Sequence, residues 1–206
     1  IRRVRDGLTT ENHEDGDRRH RRRDRRASHR PEPGGHGMNG RRTGRTARVV
    51  AEALDTRESM PAQLSAQARK TIGVFQAIAF CRRKYGRRAI GPFIISMTQG
   101  ADDVLSVLLL SQWGELHNRR GEVPLDIAPL LETVDDLHNG PEIIESLLST
   151  ELYREHLARR RDQQTIMIGY SDSNKDGGLA SARWALQNAQ ETLVNTVESQ
   201  GIELTL

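Results

Sequence analysis

The sequence predicts an α/β fold assembled from parallel strand–helix–strand units. Three observations carry this expectation. Short runs rich in β-branched and other apolar residues, such as Thr165-Ile-Met-Ile168, alternate with stretches whose apolar residues recur at helical spacing. Glycine and proline punctuate the boundaries, as at Gly86, Pro124 and Gly169. The alternation continues from about residue 61 to the end, the pattern of a sheet whose strands are joined by helical crossovers.

Taken in order, Leu64, Ala68, Ile72, Phe75 and Ala79 line one face of a first helix, and Gly86 is a natural stop. The cluster Arg82-Arg-Lys-x-x-Arg-Arg88 at its end complements the helix dipole and reads as a solvated face. A strand is expected over 93–97, then a helix over 102–113. The apolar run 104–110 within that helix is too short to cross a membrane and reads as buried. Another strand is expected over 127–131 after the Pro124 break, then helical segments over 141–158 and a strand over 165–168. Leu179, Ala182, Leu186, Ala189, Leu193 and Val197 recur at helical spacing, and a last strand is expected over 202–206.

Charge divides the 206 residues into two unlike parts. Through Arg48 there are fifteen arginines against seven acidic residues, a net of +8; the remainder has sixteen basic against twenty-one acidic residues, a net of −5. Residues 1–48 are rich in Arg, His, Gly and Pro without apolar periodicity, so they are expected to be disordered. The density of arginine over 18–30 would suit non-specific phosphate binding. No aromatic residue is interleaved for base stacking, however, so an inert tail or out-of-frame translation of a GC-rich stretch is the preferred reading. The single Cys81 excludes an intrachain disulfide, suits a reducing cytoplasm and reads as a packing residue. No signal peptide and no membrane-spanning run is visible.

The densest chemistry lies in Gly169-Tyr-Ser-Asp-Ser-Asn-Lys-Asp-Gly-Gly178, expected to be a loop between a strand and a helix. In an α/β protein such a loop lies outside the carboxyl end of its strand, where ligands bind. It offers Asp172 as a metal carboxylate, Lys175 as an ammonium and, after Gly178, a helix N-terminus favourable to an anion. The string Asp172-x-Asn174-x-Asp176-Gly177 also matches the first half of a calcium-binding EF-hand loop, but the twelfth position is Arg183 where a Glu is required. A phosphate-binding P-loop fails because Asn174 and Asp176 flank Lys175 where Gly and Ser or Thr are needed. Upstream, Glu132 ends the strand expected over 127–131. If the two strands are parallel neighbours, Glu132 and Asp172 converge on one rim, an arrangement suited to a hard divalent cation. The alternative is a Glu132 that caps or ion-pairs locally. His138 reads as a solvated helix-end residue.

Together, Ala89-Ile-Gly-Pro-Phe-Ile-Ile-Ser-Met97, Asp102-Asp-Val-Leu-Ser-Val-Leu-Leu-Leu110, Val123-Pro-Leu-Asp-Ile-Ala-Pro-Leu-Leu-Glu-Thr-Val-Asp-Asp-Leu137, Ile166-Met-Ile-Gly-Tyr-Ser-Asp-Ser-Asn-Lys-Asp-Gly-Gly178 and Gly201-Ile-Glu-Leu-Thr-Leu206 resemble the phosphoenolpyruvate carboxylase family in order and spacing. The resemblance covers about residues 50–206. It implies that residues 49–206 are part of a (β/α)8 TIM-type barrel with additional helices, incomplete in this chain. It further implies a cytoplasmic, homotetrameric lyase of anaplerotic carbon fixation. That enzyme joins bicarbonate to phosphoenolpyruvate through carboxyphosphate and the enolate of pyruvate, giving oxaloacetate and phosphate with Mg2+ or Mn2+. By the family motifs, Glu132 and Asp172 hold the metal. Lys175, one of three lysines in the chain, helps place bicarbonate.

Two departures follow from the same resemblance. The family continues past the final strand into a Gly-, Arg- and His-rich loop of substrate contacts, and its catalytic histidine lies far upstream. None of the seven histidines here matches that role by motif. A non-catalytic calcium- or nucleic-acid-binding module is the competing reading. Half a barrel leaves open sheet edges and exposed apolar surface. The isolated polypeptide is therefore expected to be poorly soluble and to form no oxaloacetate from phosphoenolpyruvate, and measurable turnover in a coupled assay would overturn this expectation.

Overall fold

A computed structural model describes residues 36–206, with side chains from residue 44. The elements are α1 (His36–Asp55), α2 (Ala66–Tyr85), a 3-10 turn (Arg87–Ala89), β1 (Phe93–Ile95), α3 (Ala101–Trp113), β2 (Ile127–Leu131), α4 (Val134–Leu148), α5 (Glu151–Ala158), β3 (Gln163–Thr165), β4 (Met167–Ile168), α6 (Tyr170–Glu198) and β5 (Glu203–Thr205).

All strand pairs among the described residues are parallel. β2 lies between β1 and β4, with Phe93 opposite Ile127 and Leu131 opposite Ile168, and β3 pairs β5 with Gln164 opposite Leu204. Only Ile166 separates β3 from β4, and its N–H donates to the Thr205 carbonyl at 2.9 Å. The run 163–168 thus pairs β5 through its first half and β2 through its second. The strands follow one another in chain order with helices between them, as the alternation predicts. The described residues form an open parallel sheet and not a closed barrel.

Helix boundaries follow local chemistry. Ser65 caps α2 by accepting from the Ala68 amide at 3.1 Å, and Gly86 ends it with φ of 92°. Of the apolar face expected there, Ala68, Ile72, Phe75 and Ala79 are buried, and the Phe75 ring meets Phe93 of β1 with centroids 5.1 Å apart. Thr133 and Asp136 form a reciprocal capping box, so α4 begins at Val134, earlier than the residue-141 start expected, and Pro141 falls inside the helix. A second helix, α5, follows a break at Ser149–Thr150.

The first helix corrects an expectation. α1 runs from His36, so residues 36–48 are helical where composition predicts disorder; Val50, Ala53 and Leu54 are buried, and the helix packs on α3. Packing of one apolar stripe outweighs a glycine- and arginine-rich start. The rest of the segment expected to be disordered, residues 1–35, lies outside the described residues.

The core is continuous from α1 and α3 through β2 to α4 and α6, with Val104, Leu105, Leu131, Ile144 and Leu193 among its most buried members. A polar node crosses it: the Tyr153 hydroxyl donates to Gln164 Oε1 at 2.6 Å, and Gln164 Nε2 donates to the Ile127 carbonyl at 3.1 Å. This satisfies a buried tyrosine and ties α5 to β3 and β2. Among the described residues no helix is long and apolar enough to cross a membrane. Cys81 is half-buried and free.

His156 lies beside Tyr153, with ring centroids 5.6 Å apart, and is 8% exposed. Burial, with Arg160 nearby, lowers its pKa to about 4. The unfolded chain therefore binds this proton more readily than the native state. Its contribution is present above about pH 6.5 and is lost as pH falls toward 4, a change of about 3 kcal/mol at most. Urea unfolding between pH 7 and 4 should show this slope, and His156→Gln should flatten it.

Candidate metal centre

Because β1, β2 and β4 are parallel neighbours, the residues that follow them emerge on one rim of the sheet. Ser96 and Met97 follow β1, Glu132 follows β2, and Gly169 to Asp172 follow β4. The Gly169 N–H donates to the Leu131 carbonyl at 2.7 Å, which extends the ladder past Ile168 and brings the start of α6 beside Glu132.

Glu132 is held from the β1 side. Its Oε2 accepts from Ser96 Oγ at 2.8 Å and from the Met97 amide at 2.9 Å. Met97 has φ of 55°, a left-handed conformation costly for a side chain of its size, and this turns its N–H toward the carboxylate. Below Glu132, Asp136 Oδ2 accepts from the Glu132 and Thr133 amides at 3.3 and 3.0 Å. The capping box thus fixes the backbone from which Glu132 projects. Among the described residues Glu132 is neither a helix cap nor an ion-pair partner: its carboxylate bridges two strand ends.

The decapeptide 169–178 is corrected by the structure. It is not a loop: residues 170–177 are a helical segment, and the break comes at Gly178, with φ of 76° and ψ of 163°, before the long helix resumes. The segment escapes a periodicity reading because most of it faces solvent and its Ser, Asp and Asn residues have low helix propensity. Tertiary contacts hold it instead. Ser173 is fully buried with its hydroxyl donating to the Gly169 carbonyl at 2.8 Å, and Asp176 Oδ2 accepts from the Val134 amide at 3.2 Å. That last bond pins the segment to the first turn of α4, one residue beyond the Glu132-Thr133 pair.

Asp172 lies in the first turn of α6, and its Oδ1 accepts from Lys175 Nζ at 2.8 Å. The Lys175 pKa is raised, first by this hydrogen bond and then by the charge of Asp172, so it remains an ammonium. Both side chains are largely exposed, 75% for Lys175 and 53% for Asp172, so water screens the pair and it contributes little to stability. The structure brings Glu132 and the Asp172 segment to the same rim, with Lys175 one turn further along. The helical form also removes the EF-hand reading: Asn174 falls on the opposite side of the helix from Asp172 and Asp176, Asp176 is bonded to Val134, and the Asn174 Oδ1 is buried without a partner among the described residues. His138 is exposed in the second turn of α4.

Ser96 and the Met97 amide escaped the sequence reading as site residues, and Asp176, noted there only within the EF-hand-like string, serves instead to fasten the segment to Val134. Thr133-x-x-Asp136 carried a capping signature that could have located the start of α4. Nothing local marks Ser96, which meets Glu132 only through strand pairing.

A family model described as phosphoenolpyruvate carboxylase matches residues 40–206. The chain belongs to the phosphoenolpyruvate carboxylase family. The match starts at residue 40, earlier than the resemblance at about residue 50. Relatives named phosphoenolpyruvate carboxylase include one from Xanthomonas oryzae pv. oryzae, 44% identical over 161 residues, covering 78% of this chain and 18% of the relative. A second, from Xanthomonas euvesicatoria pv. vesicatoria, is 50% identical over 132 residues, 64% of this chain and 15% of the relative. One from Mycolicibacterium paratuberculosis is 40% identical over 164 residues, 77% of this chain and 18% of the relative. The chain thus spans less than a fifth of the length of these family members.

The packing of the helical segment on α4 leaves no room at Gly177, where a Cβ would lie 2.8 Å from Val134 Cγ2. Gly177→Ala should therefore cost about 1–3 kcal/mol through overpacking, read as a lowered midpoint in thermal unfolding.

Proposed function

We propose that this chain supplies part of the (β/α)8-type catalytic barrel of an enzyme that carboxylates phosphoenolpyruvate with bicarbonate to give oxaloacetate and phosphate. One observation carries the reading: Glu132 and the Asp172 segment stand side by side at the carboxyl ends of adjacent parallel strands, in a chain of the phosphoenolpyruvate carboxylase family. Ligands of parallel α/β sheets bind on that rim.

Glu132 and Asp172 are the residues that would hold Mg2+ or Mn2+. Their donor chemistry fits, since both offer carboxylate oxygens, and the described hydrogen bonds engage only Oε2 of Glu132 and Oδ1 of Asp172. Oε1 and Oδ2 remain available. Among the described residues no group of three or more His, Cys, Asp or Glu is arranged around a metal. Two carboxylates suit Mg2+, which keeps several waters and takes substrate oxygens as its other ligands. When bound, the ion supplies electrostatic stabilisation of negative charge developing on phosphoryl and enolate oxygens.

The protein groups have separate tasks. Ser96 and the Met97 amide orient the Glu132 carboxylate in advance, so little reorganisation is needed when a ligand arrives. Lys175, a protonated and exposed point charge, orients bicarbonate near Asp172. The Asp176 bond to Val134 keeps Asp172 and Lys175 at a set height above the rim. The competing nucleic-acid reading rests on residues 1–48, of which 1–35 lie outside the described residues.

Titration of the whole chain with Mn2+, followed by the electron paramagnetic resonance of free ion, tests the pair. Glu132→Gln and Asp172→Asn should each weaken binding by more than about tenfold, a loss of about 1.4 kcal/mol or more, while Asn174→Ala should leave it unchanged. Loss on changing Asn174, with Glu132→Gln binding normally, would sink the assignment.

A further inference from the structure

The opposite end of the sheet holds a second concentration of charge. A cavity of about 520 Å³ opens there, lined by the last turn of α2, the 3-10 turn, the segment leading into β2 and the end of α5. These segments precede β1, β2 and β3, so the cavity lies at the amino ends of the strands, away from Glu132 and Asp172. Five arginines line it: Arg82, Arg83, Arg87, Arg159 and Arg160.

Their partners can be accounted for one by one. Arg159 is shared by Glu122 at 3.5 Å and Glu155 at 3.2 Å, and Arg160 is hydrogen-bonded to Asp126. Arg82 donates from Nη1 to the Ile90 carbonyl at 3.3 Å and has no carboxylate within ion-pair distance among the described residues; Arg83 and Arg87 have none either. Glu115, the remaining acid in the lining, pairs with no arginine among the described residues. The guanidiniums repel one another: the Arg82 pKa is lowered by burial and then by Arg160 and Arg87. His156, also in the lining, is neutral near pH 7 and so neither adds to the positive charge nor offsets it. Cations crowded around a partly enclosed space, with guanidinium forks unused, provide paired donors at the geometry that carboxylate and phosphate oxygens require.

We propose that this cavity binds a small multivalent oxyanion, bearing phosphate or carboxylate groups, through Arg82 and Arg87 with Arg160 in support. The volume falls in the range of roughly 300–1,000 Å³ usual for small-molecule sites, so it admits a compact metabolite and not a polymer. Arg159, already neutralised by two carboxylates, forms the wall. The site is separate from the carboxylate rim and needs no metal.

The test is calorimetric titration of the whole chain with inorganic pyrophosphate and, separately, with citrate. Wild type and Glu132→Gln should show the same saturable one-site component, and Arg82→Gln and Arg87→Gln should each weaken it by about tenfold or more. Any background from the arginines of residues 1–48 is common to wild type and variants and cancels in the comparison. Arg87 is exposed and makes no described bond, so Arg87→Gln decides the matter if Arg82→Gln lowers the thermal midpoint. Tighter binding of one anion identifies its group as the ligand chemistry. Absence of a saturable component up to about 10 mM of both anions, or equal binding by wild type and Arg87→Gln, would overturn the proposal.

Discussion

The parallel pairing of β2 with β1 on one side and β4 on the other is the constraint on which the rest depends. Side chains that follow parallel strands leave the sheet on the same rim, whatever their separation in sequence. Ser96, Glu132 and Gly169 meet for this reason alone, and the hydrogen bonds at the rim are continuations of the two ladders. A slip of one residue in either pairing would turn Glu132 away from Ser96 and bury a carboxylate among the apolar residues beneath it.

Rigidity at the rim comes from backbone donors more than from charge. Glu132 is oriented by a hydroxyl and an amide, its own amide is taken by Asp136, and the segment bearing Asp172 is fastened by Asp176 to the amide of Val134. The ion pair at this rim among the described residues, Asp172 with Lys175, is exposed and screened. The exposed Asp172–Lys175 pair is thus left able to exchange partners, while the backbone-bonded groups beneath it are held in place. Met97 illustrates the cost of this arrangement: its left-handed backbone persists because the Glu132 carboxylate satisfies its amide.

The two ends of the sheet differ in their excess of charge. Carboxylates outnumber cations around Glu132 and Asp172, whereas five arginines outnumber the three glutamates that line the cavity at the amino end. The arginine cluster reads in sequence as a solvated helix end, and on distance alone Arg82, Arg83 and Arg87 have nothing in common with Arg159 and Arg160. Crossover connections return each helix to the amino edge of the sheet and bring the two groups to one cavity. The buried His156 lies against the same wall, neutral because burial and Arg160 both oppose its protonation.

The strand–helix alternation, the buried face of α2, that of α6 apart from the exposed Leu179, and the family were legible from the sequence, because hydrophobic period and motif strings are local properties that survive without coordinates. So was the suspicion that Glu132 and Asp172 share a rim. The helical state of residues 170–177 was not legible, since a polar, solvent-facing segment shows no apolar period and owes its form to Ser173 burial and the Asp176 bond. The start of α1 inside a basic stretch was hidden for a similar reason, its apolar contacts lying beyond Arg48. Which oxygens of the two carboxylates are engaged, and by what, was decided only in three dimensions. Ser96 meets Glu132 across 36 residues and Asp176 meets Val134 across 42, and contacts of that range are set by strand register, which no local pattern encodes.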